Sequence, residues 1–273
     1  MLLPPYTDTT APMIDLHCHV LPGFDDGAVD WLTAVRMCRL AAQDGVRCIV
    51  ATPHFHRGLF PTPSLEAVEN SLEELRNLCK KGLIENLELM IGSDCHLHAE
   101  LTENLREGLI PTINGGRYFL LEPPSDNIPP HIDHLLFDIL LTGMIPIITH
   151  PERNRVFVRQ PELLHHLVEG GAYAQVTAAS LLGGFGSSVR STAEEMVGLG
   201  LVQMIASDAH DPERRPPLLS EARQAATEIV GEDLATRMVE EVPRAVIENR
   251  TINYPEPVVE QSRRPWWKRW TDR

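Results

Sequence analysis

The sequence lacks most features that mark secreted or membrane proteins. Its 273 residues contain only five cysteines, an odd number, and no C-x-x-C pair, so neither a disulfide framework nor a thiolate zinc site is indicated. No apolar run approaches the roughly 18 residues of a membrane span, and the N-terminus does not resemble a signal peptide. These absences predict a protein of the reducing cytoplasm.

Basic residues are also scarce. The 24 Lys and Arg against 38 Asp and Glu give a formal net charge of −14, and such a field repels phosphodiester polymers and acidic membranes. We therefore expect no nucleic-acid partner. The 43% of hydrophobic residues excludes general disorder and is enough for one large core.

What is present is an alternation of short apolar runs and helical patterns, which is typical of parallel strands joined by crossover helices. One helical stripe runs from Trp31 to Ala42, and a second from Leu65 to Cys79 is preceded by Ser64 as a cap and ended by Gly82. No internal repeat interrupts the alternation, so a single compact α/β domain is predicted. Seven candidate strands are Met13–Leu16, Val46–Ala51, Leu87–Ile91, Tyr118–Leu121, Ile145–Thr149, Ala172–Val176 and Leu201–Ala206.

The two ends of the chain differ in composition from the middle. We expect a flexible N-terminal extension at 1–12, the domain at 13–254 and a basic, aromatic tail at 255–273. The tail contains Trp266, Trp267 and Trp270 among arginines and a lysine. It either folds back on the domain or contacts an acidic membrane surface or a partner.

Side chains that bind metals follow six of the seven candidate strands. Because the carboxyl ends of parallel strands meet at one edge, where α/β folds place active sites, we expect these side chains to converge. They are His17, His19, Asp26, His54, Asp94, Glu122, His150, Asp208 and His210.

Five imidazoles and four carboxylates in one pocket would need cations, because like charges repel strongly when buried together. Nitrogen and oxygen donors without thiolate favour Zn, Mn, Fe or Co over an all-oxygen Mg or Ca site. Nine ligands are too many for one ion. Three divalent ions would leave two positive charges in excess, which a phosphate dianion would balance. Arg153, Arg214 and Arg215 on neighbouring loops also favour an anionic substrate.

Several other patterns carry weaker signals. His96 and His98 form a second H-x-H motif, and they are either metal ligands or ordinary loop residues. Solvent-facing roles are favoured for two other histidine pairs. The glycine-rich segment 183–186 lacks the spacing of a phosphate-binding loop and is interpreted as a turn. No cysteine is followed six residues later by arginine, which excludes a cysteine-dependent phosphatase. The remaining pairs are His131 with His134 and His165 with His166.

Five of these motifs together resemble the PHP (polymerase and histidinol phosphatase) superfamily. Within it, the sequence is most similar to bacterial tyrosine-protein phosphatases that accompany capsule and exopolysaccharide kinases. The likeness extends from Met13 to Asn253 and includes the stretches 175–178 and 184–186. The resemblance implies a distorted (β/α)₇ barrel, three metal ions, usually manganese, and hydrolysis of phosphotyrosine on a kinase tail. The motifs are D-L-H-C-H from Asp15, D-D-G from Asp25, A-T-P-H from Ala51, H-P-E-R from His150 and A-S-D-A-H from Ala206.

The resemblance also implies roles for individual residues. One ion would be held by His17, His19, Glu122 and Asp208, with Glu122 bridging. A second would be held by Asp26, His54 and His210, and a third by Asp94, His150 and the bridging Glu122. Arg153 and Arg215 correspond to the phosphate-binding arginines. Asp94 stands where the family normally has glutamate, so His96 is an alternative ligand of the third ion.

The expected mechanism is attack of a metal-held hydroxide on phosphorus, without a covalent enzyme intermediate. Two alternatives stay open. The same cluster fits a small-molecule phosphatase of the histidinol-phosphatase kind, and a protein with a defective third site would be a non-catalytic, metal-stabilised kinase-docking protein. The oligomeric state stays open as well, and Mg is a further option for the metal.

Overall fold

A computed structural model describes residues 12–255 and residue 257. Except for Pro12, Pro255 and Pro257, the predicted N-terminal extension and C-terminal tail lie outside the described residues, and so do the tail tryptophans. The division of the chain into these segments stays a prediction.

Within the described residues, nine strands form two parallel sheets, which confirms an α/β fold with parallel pairing. The first sheet has the order β1-β2-β4 and the second the order β3-β5-β6-β7-β8-β9. The strands are β1 Met13–Cys18, β2 Val46–Ala51, β3 His54–Phe55, β4 Glu88–Ile91, β5 Asp94–His96, β6 Tyr118–Glu122, β7 Ile145–Thr149, β8 Tyr173–Thr177 and β9 Met204–Ala206.

The helices before residue 200 connect successive strands, and those after residue 219 follow the last strand. They are α1 Trp31–Gln43, α2 Leu65–Lys81, α3 Leu101–Arg106, α4 Ile132–Leu141, α5 Arg155–Arg159, α6 Pro161–Glu169, α7 Ala178–Leu181, α8 Ser187–Gly198, α9 Ser220–Val230, α10 Glu232–Val239 and α11 Glu241–Ile247. Short 3₁₀ helices lie at Ile113–Gly115 and Pro151–Arg153. Across residues 12–255, no helix combines the length and apolarity needed to cross a bilayer.

The predicted limits of α2 are confirmed by its capping. The Ser64 hydroxyl accepts a hydrogen bond from the backbone N–H of Ala67 at 3.2 Å, and Gly82 ends the helix. Four side chains of the predicted stripe, Val68, Leu72, Leu75 and Cys79, are buried against the sheet layer. All five cysteines are buried and unpaired, as expected.

Two strands were not predicted, and one was predicted too long. β3 and β5 have only two and three residues and carry polar side chains, so they show no apolar run. The predicted strand Leu201–Ala206 begins only at Met204. Just before this strand, the side-chain oxygen of Gln203 accepts a hydrogen bond from the backbone N–H of Ala174 at 3.0 Å. A side-chain oxygen therefore replaces a backbone carbonyl in the pairing with β8.

The interior of the strand layer is apolar at its amino-terminal end. We call these residues the amino-end cluster: Ile14, Leu16, Cys48, Val50, Ile113, Tyr118, Leu120, Ile147, Met204, Val242, Ala245, Val246, Ile247 and Ile252. Helix α11 supplies four of them, and the Tyr118 hydroxyl donates to the Arg250 carbonyl at 2.7 Å. The strands are therefore sealed at this end, which leaves the opposite end for polar side chains.

Candidate metal centre

The carboxyl ends of the strands bring together the side chains that the sequence singled out. Three overlapping groups place one ligand atom of each member within 4.8 Å of the others. They are His17, His19 and Asp208; His19, His54 and His210; and His54, Asp94 and Glu122. Because two histidines belong to two groups each, the buried set is one continuous cluster of donors.

Strand β1 positions the first pair of imidazoles. His17 lies in the strand and His19 directly after it, so the period of two aims both rings at the same side. Their Nε2 atoms lie 3.1 Å apart. The Asp208 Oδ1 atom lies 3.5 Å from the first Nε2 and 3.6 Å from the second. The backbone N–H of Asp208 donates to the His17 carbonyl at 2.8 Å, which fixes the loop after β9 against β1.

The two short unpredicted strands position the second group. His54 pairs in register with Asp94, and the next strand places Glu122 beside His96. As a result, His54 Nδ1 lies 3.2 Å from Asp94 Oδ2 and 3.6 Å from Glu122 Oε2. His54 and Asp94, the polar residues that hide β3 and β5 from a search for apolar runs, are therefore the residues that these strands place in the cluster.

Asp26, His150 and His210 lie at the rim of the cluster. Asp26 Oδ1 is 3.5 Å from the Nε2 atoms of both His54 and His210. His150 Nε2 is 3.7 Å from Glu122 Oε1, while Asp94 contacts His17 and His54. All nine predicted positions thus meet at one place.

Unsatisfied polar atoms show that this donor set fits cations. Both carboxylate oxygens of Asp94 and Nδ1 of His54 are buried without a hydrogen-bond partner. Buried polar atoms normally have such partners, and an uncompensated buried charge is costly. Imidazole nitrogens and carboxylate oxygens are suitable ligands for transition-metal dications, and a shared ion would satisfy these atoms.

The pKa values show how strongly the carboxylates attract positive charge. Burial alone would lower the pKa of His17, but the negative charges of Asp94 and Asp208 outweigh it and raise the pKa to about 9. Burial would also lower the pKa of His54, but the nearby carboxylates of Asp26 and Asp94 outweigh it and raise the pKa to about 10.

Other groups in the cluster shift in the opposite direction. Burial, followed by the neighbouring His210, lowers the pKa of His19 to about 4. Burial and then the positive charge of Arg153 hold the pKa of His150 well below its usual range. Neutral imidazole is the form that binds metals, so these two rings are in their ligand form at neutral pH.

An open cavity of about 260 Å³ lies over the cluster. Its walls include Arg153 and Arg215, and the terminal nitrogens of both contact the Asp208 carboxylate, that of Arg215 at 2.6 Å. Arg57 is a third arginine in the cavity wall. The Arg57 guanidinium contacts His54 Nε2 and lies 3.7 Å from Glu122. Positive side chains over metal ligands can bind a multiply charged anion.

Three of these supporting residues were not predicted to take part. Asp25 Oδ2 accepts a hydrogen bond from His19 Nδ1 at 2.8 Å, and Gln175 Oε1 lies 3.0 Å from His17 Nδ1. Such contacts orient an imidazole so that its other nitrogen faces a metal. Asp25 had a signal in its position beside Asp26. Gln175 lies in a stretch covered by the family likeness but had no predicted role, and Arg57 had no signal, because strand pairing and loop folding bring them to the site.

The weaker sequence signals separate into two groups. His96 Nδ1 lies 3.4 Å from Glu122 Oε2, at the edge of the cluster. His98 instead contacts Asn104 and stacks on His56 with ring centroids 3.9 Å apart. His131 and His134 are exposed at the start of α4. Arg214 is exposed, and the cavity walls include its neighbour Arg215.

An α/β protein with nitrogen and oxygen donors gathered at the carboxyl ends of its strands has the arrangement of a metal-dependent enzyme. Comparison with known proteins specifies which kind. Residues 13–248 match the family of capsular polysaccharide synthesis proteins CpsB/CapC, and the chain belongs to this family.

Individual relatives agree with this assignment. The chain is 35% identical over 249 residues to the tyrosine-protein phosphatase YwqE of Bacillus subtilis. This alignment covers 90% of this chain and 96% of the relative. It is 29% identical over 245 residues to the tyrosine-protein phosphatase CpsB of Streptococcus pneumoniae, covering 88% and 100%. A crystal structure from work on these two proteins, described as unique metal-dependent tyrosine phosphatases, superimposes with a TM-score of 0.85 at 35% identity, covering 91% and 100%.

Proposed function

We propose that this protein is a metal-dependent protein-tyrosine phosphatase that removes phosphate from a bacterial tyrosine kinase regulating capsule or exopolysaccharide synthesis. The observation that carries the proposal is the buried donor cluster under a cavity lined by arginines. The family membership and the named activities of the relatives support the same conclusion.

The proposed ligand set divides the nine residues among three divalent ions, with manganese favoured. His17, His19, Glu122 and Asp208 would hold one ion. Asp26, His54 and His210 would hold the second, and Asp94, His150 and the bridging Glu122 the third. The short distances within the cluster support these groupings. When bound, such ions polarise phosphate oxygens and lower the pKa of a water to about 7.

The third ion site depends on Asp94, whose side chain is one methylene shorter than the glutamate normally found at this position in the family. Asp94 lies within 3.5 Å of His17 and His54, whereas His150 and His96 approach Glu122. We therefore place Asp94 deeper in the cluster, where its two unpartnered oxygens are available as ligands. His96 would complete the third site from the opposite side of Glu122.

The arginines bind and orient the phosphate. Arg153 and Arg215 each carry several N–H donors in a planar fork that matches phosphate oxygens. Their terminal nitrogens meet at Asp208, so a phosphate beside that carboxylate would contact both. Both side chains are partly buried, with 22% and 26% of their surface exposed, so the surrounding protein screens such contacts less than bulk water does.

The leaving group requires little help from the protein. A tyrosine phenol has a pKa of about 10, so the departing phenolate needs a less effective general acid than an alkoxide. Within the cavity walls the titratable side chains are accounted for as proposed metal ligands or arginines. The open cavity also admits a side chain carried on a peptide, as a kinase tail would present it.

The finer architecture follows from the same contacts. β2 and β3 are separated by two residues, as are β4 and β5, so each pair is one interrupted strand. Cys18 forms a parallel bridge with Ala209 after β9. We infer a distorted (β/α)₇ barrel closed by this contact, in a cytoplasmic protein whose C-terminal tail could contact a membrane surface or partner.

The test is turnover of a phosphotyrosine peptide by the full chain with added manganese, beside histidinol phosphate as the small-molecule alternative. Hydrolysis of the peptide that is abolished by chelation and restored by metal is expected. Faster turnover of histidinol phosphate would favour the small-molecule function, and metal binding without any turnover would favour a docking protein. Elemental analysis of the same samples gives the number and identity of the ions.

A further inference from the structure

The glycine-rich segment 183–186, interpreted from its residues as a turn and without a predicted role in the site, places an aromatic ring beside both arginines of the cavity. The Cζ atom of Arg153 lies 4.8 Å from the centroid of the Phe185 ring, and that of Arg215 lies 5.7 Å from it. Guanidinium groups at these distances from an aromatic face are attracted by its quadrupole. One side chain therefore contacts two cations from separate loops.

The arginines have few other contacts that could hold them. Their terminal nitrogens share the Asp208 carboxylate, and Arg215 also donates to the Asp208 carbonyl at 2.8 Å. Their Nε atoms are both buried without a hydrogen-bond partner. The planes of the guanidinium groups are thus held by the ring of Phe185 at one place and by Asp208 at another.

The turn is built to present this ring. Gly183 has φ +82° and Gly186 has φ +94°, which favour glycine. At Gly184, whose N–H donates to the Ala179 carbonyl at 2.8 Å, an added Cβ would lie 3.1 Å from that same oxygen. These positions restrict the turn to small residues and leave Phe185 as the one bulky side chain in it.

A buried carboxyl connects the turn to the first arginine. Glu152 Oε1 accepts hydrogen bonds from Ser180 Oγ at 2.6 Å and from the Thr177 N–H at 3.1 Å. Glu152 directly precedes Arg153, and Ser180 lies in α7 just before the turn. The loop of the arginine and the element that carries the ring are therefore fixed to each other.

From these contacts we propose that Phe185 is a positioning residue that orients Arg153 and Arg215 for phosphate. This inference rests on the proposed function, because it assigns the arginines to a phosphoryl group. The aromatic face limits the rotamers of both side chains before the anion arrives, so less conformational entropy is lost on binding. An aliphatic side chain of similar size fills the space but lacks the quadrupole.

The test compares Phe185→Leu, Phe185→Ala and Phe185→Tyr in the full, manganese-loaded chain, with inorganic phosphate as the probe. We expect the leucine and alanine variants to raise the phosphate dissociation constant about tenfold, the size expected when two arginines lose their order. The tyrosine variant should stay within about twofold of wild type. Phe137→Leu, at an exposed phenylalanine of α4, is the matched control and should bind as wild type.

A second measurement does not depend on activity. In wild type loaded with diamagnetic Zn²⁺ instead of manganese, ring currents from Phe185 should shift the Nε–H proton signals of Arg153 and Arg215 upfield in a ¹H–¹⁵N spectrum, assigned with Arg153→Lys and Arg215→Lys. Phe185→Leu should remove the shift, and Phe185→Tyr should keep it. If the alanine variant does not fold, the leucine and tyrosine variants decide the question.

Wild-type phosphate affinity in Phe185→Leu, or unshifted arginine signals in wild type, would overturn the inference. The proposed function fails separately. If wild type binds phosphate and shows the shifted signals but does not hydrolyse phosphotyrosine, the function is wrong while the positioning role stands.

Discussion

The two ends of the strands solve opposite physical problems. At the amino ends, apolar residues and α11 fill the interior, and the polar atom of Tyr118 finds a backbone carbonyl. At the carboxyl ends, buried histidines and carboxylates crowd together, and Asp94 and His54 keep unpartnered polar atoms. One end gains free energy by removing apolar surface from water. The other end buries charged groups together at a cost in folding free energy, and this arrangement can bind cations and anions.

This difference teaches where to look for stability and where to look for activity. Apolar burial stabilises the folded protein whether or not a ligand is bound, because it depends only on packing. The buried charges of the donor cluster are compensated only in part by hydrogen bonds within the cluster. Their contribution to the free energy of unfolding therefore depends on bound cations and on pH. Substitutions at the two ends should therefore change different measurements.

The largest expected effect is at the polar end. His17→Ala removes a donor at the centre of the cluster, and we expect phosphotyrosine hydrolysis to fall about a thousandfold, equivalent to about 4 kcal/mol of transition-state stabilisation. The measurement is kcat/KM with metal in excess, together with the metal content. His166→Ala, at an exposed histidine outside the candidate metal groups, is the control. Unchanged metal content and activity in His17→Ala would mean that this residue is not a ligand.

The matching change at the amino end is Met204→Ala. This side chain is fully buried in the amino-end cluster, so its truncation should lower the free energy of unfolding by about 2–5 kcal/mol. Urea unfolding measures the loss. Below the unfolding transition, kcat should stay within about twofold of wild type. A loss of activity as large as that of His17→Ala would show that the two ends are not separable.

The smallest effect concerns a buried carboxyl beside the cluster. Burial raises the pKa of Asp15 from 3.8 to about 6, although hydrogen bonds from Ser207 oppose the shift. Because the folded state holds this proton more tightly than the unfolded state, the contribution of Asp15 to stability falls as pH rises from about 4 to about 6.

Asp15→Asn keeps the size of the side chain and removes its charge. Between pH 5 and pH 7 the variant should gain about 1 kcal/mol of stability relative to wild type, measured by urea unfolding in chelator. Titration of the cluster histidines is common to both proteins and cancels in the difference, apart from the weak charge interaction between Asp15 and His17, which is the smallest cause of the Asp15 shift. A difference that does not change with pH would show that Asp15 has an ordinary pKa when folded.

The sequence was informative where a single local signal sufficed. Ser64 and Gly82 define the ends of α2, and apolar runs define most strands. It failed at β3 and β5, because strands of two and three residues carrying His54 and Asp94 have no apolar pattern of their own. Their pairing is decided by the neighbouring strands, which no local window contains.

By itself, the sequence determined the class of fold and the chemistry of the site. Periodic apolar residues require a buried parallel sheet, and histidines and carboxylates at the ends of its strands require a common edge. Only the tertiary structure decided which side chains support that edge. Asp25, Gln175, Arg57 and Phe185 reach it through register and loop folding, and these depend on contacts between residues far apart in the chain.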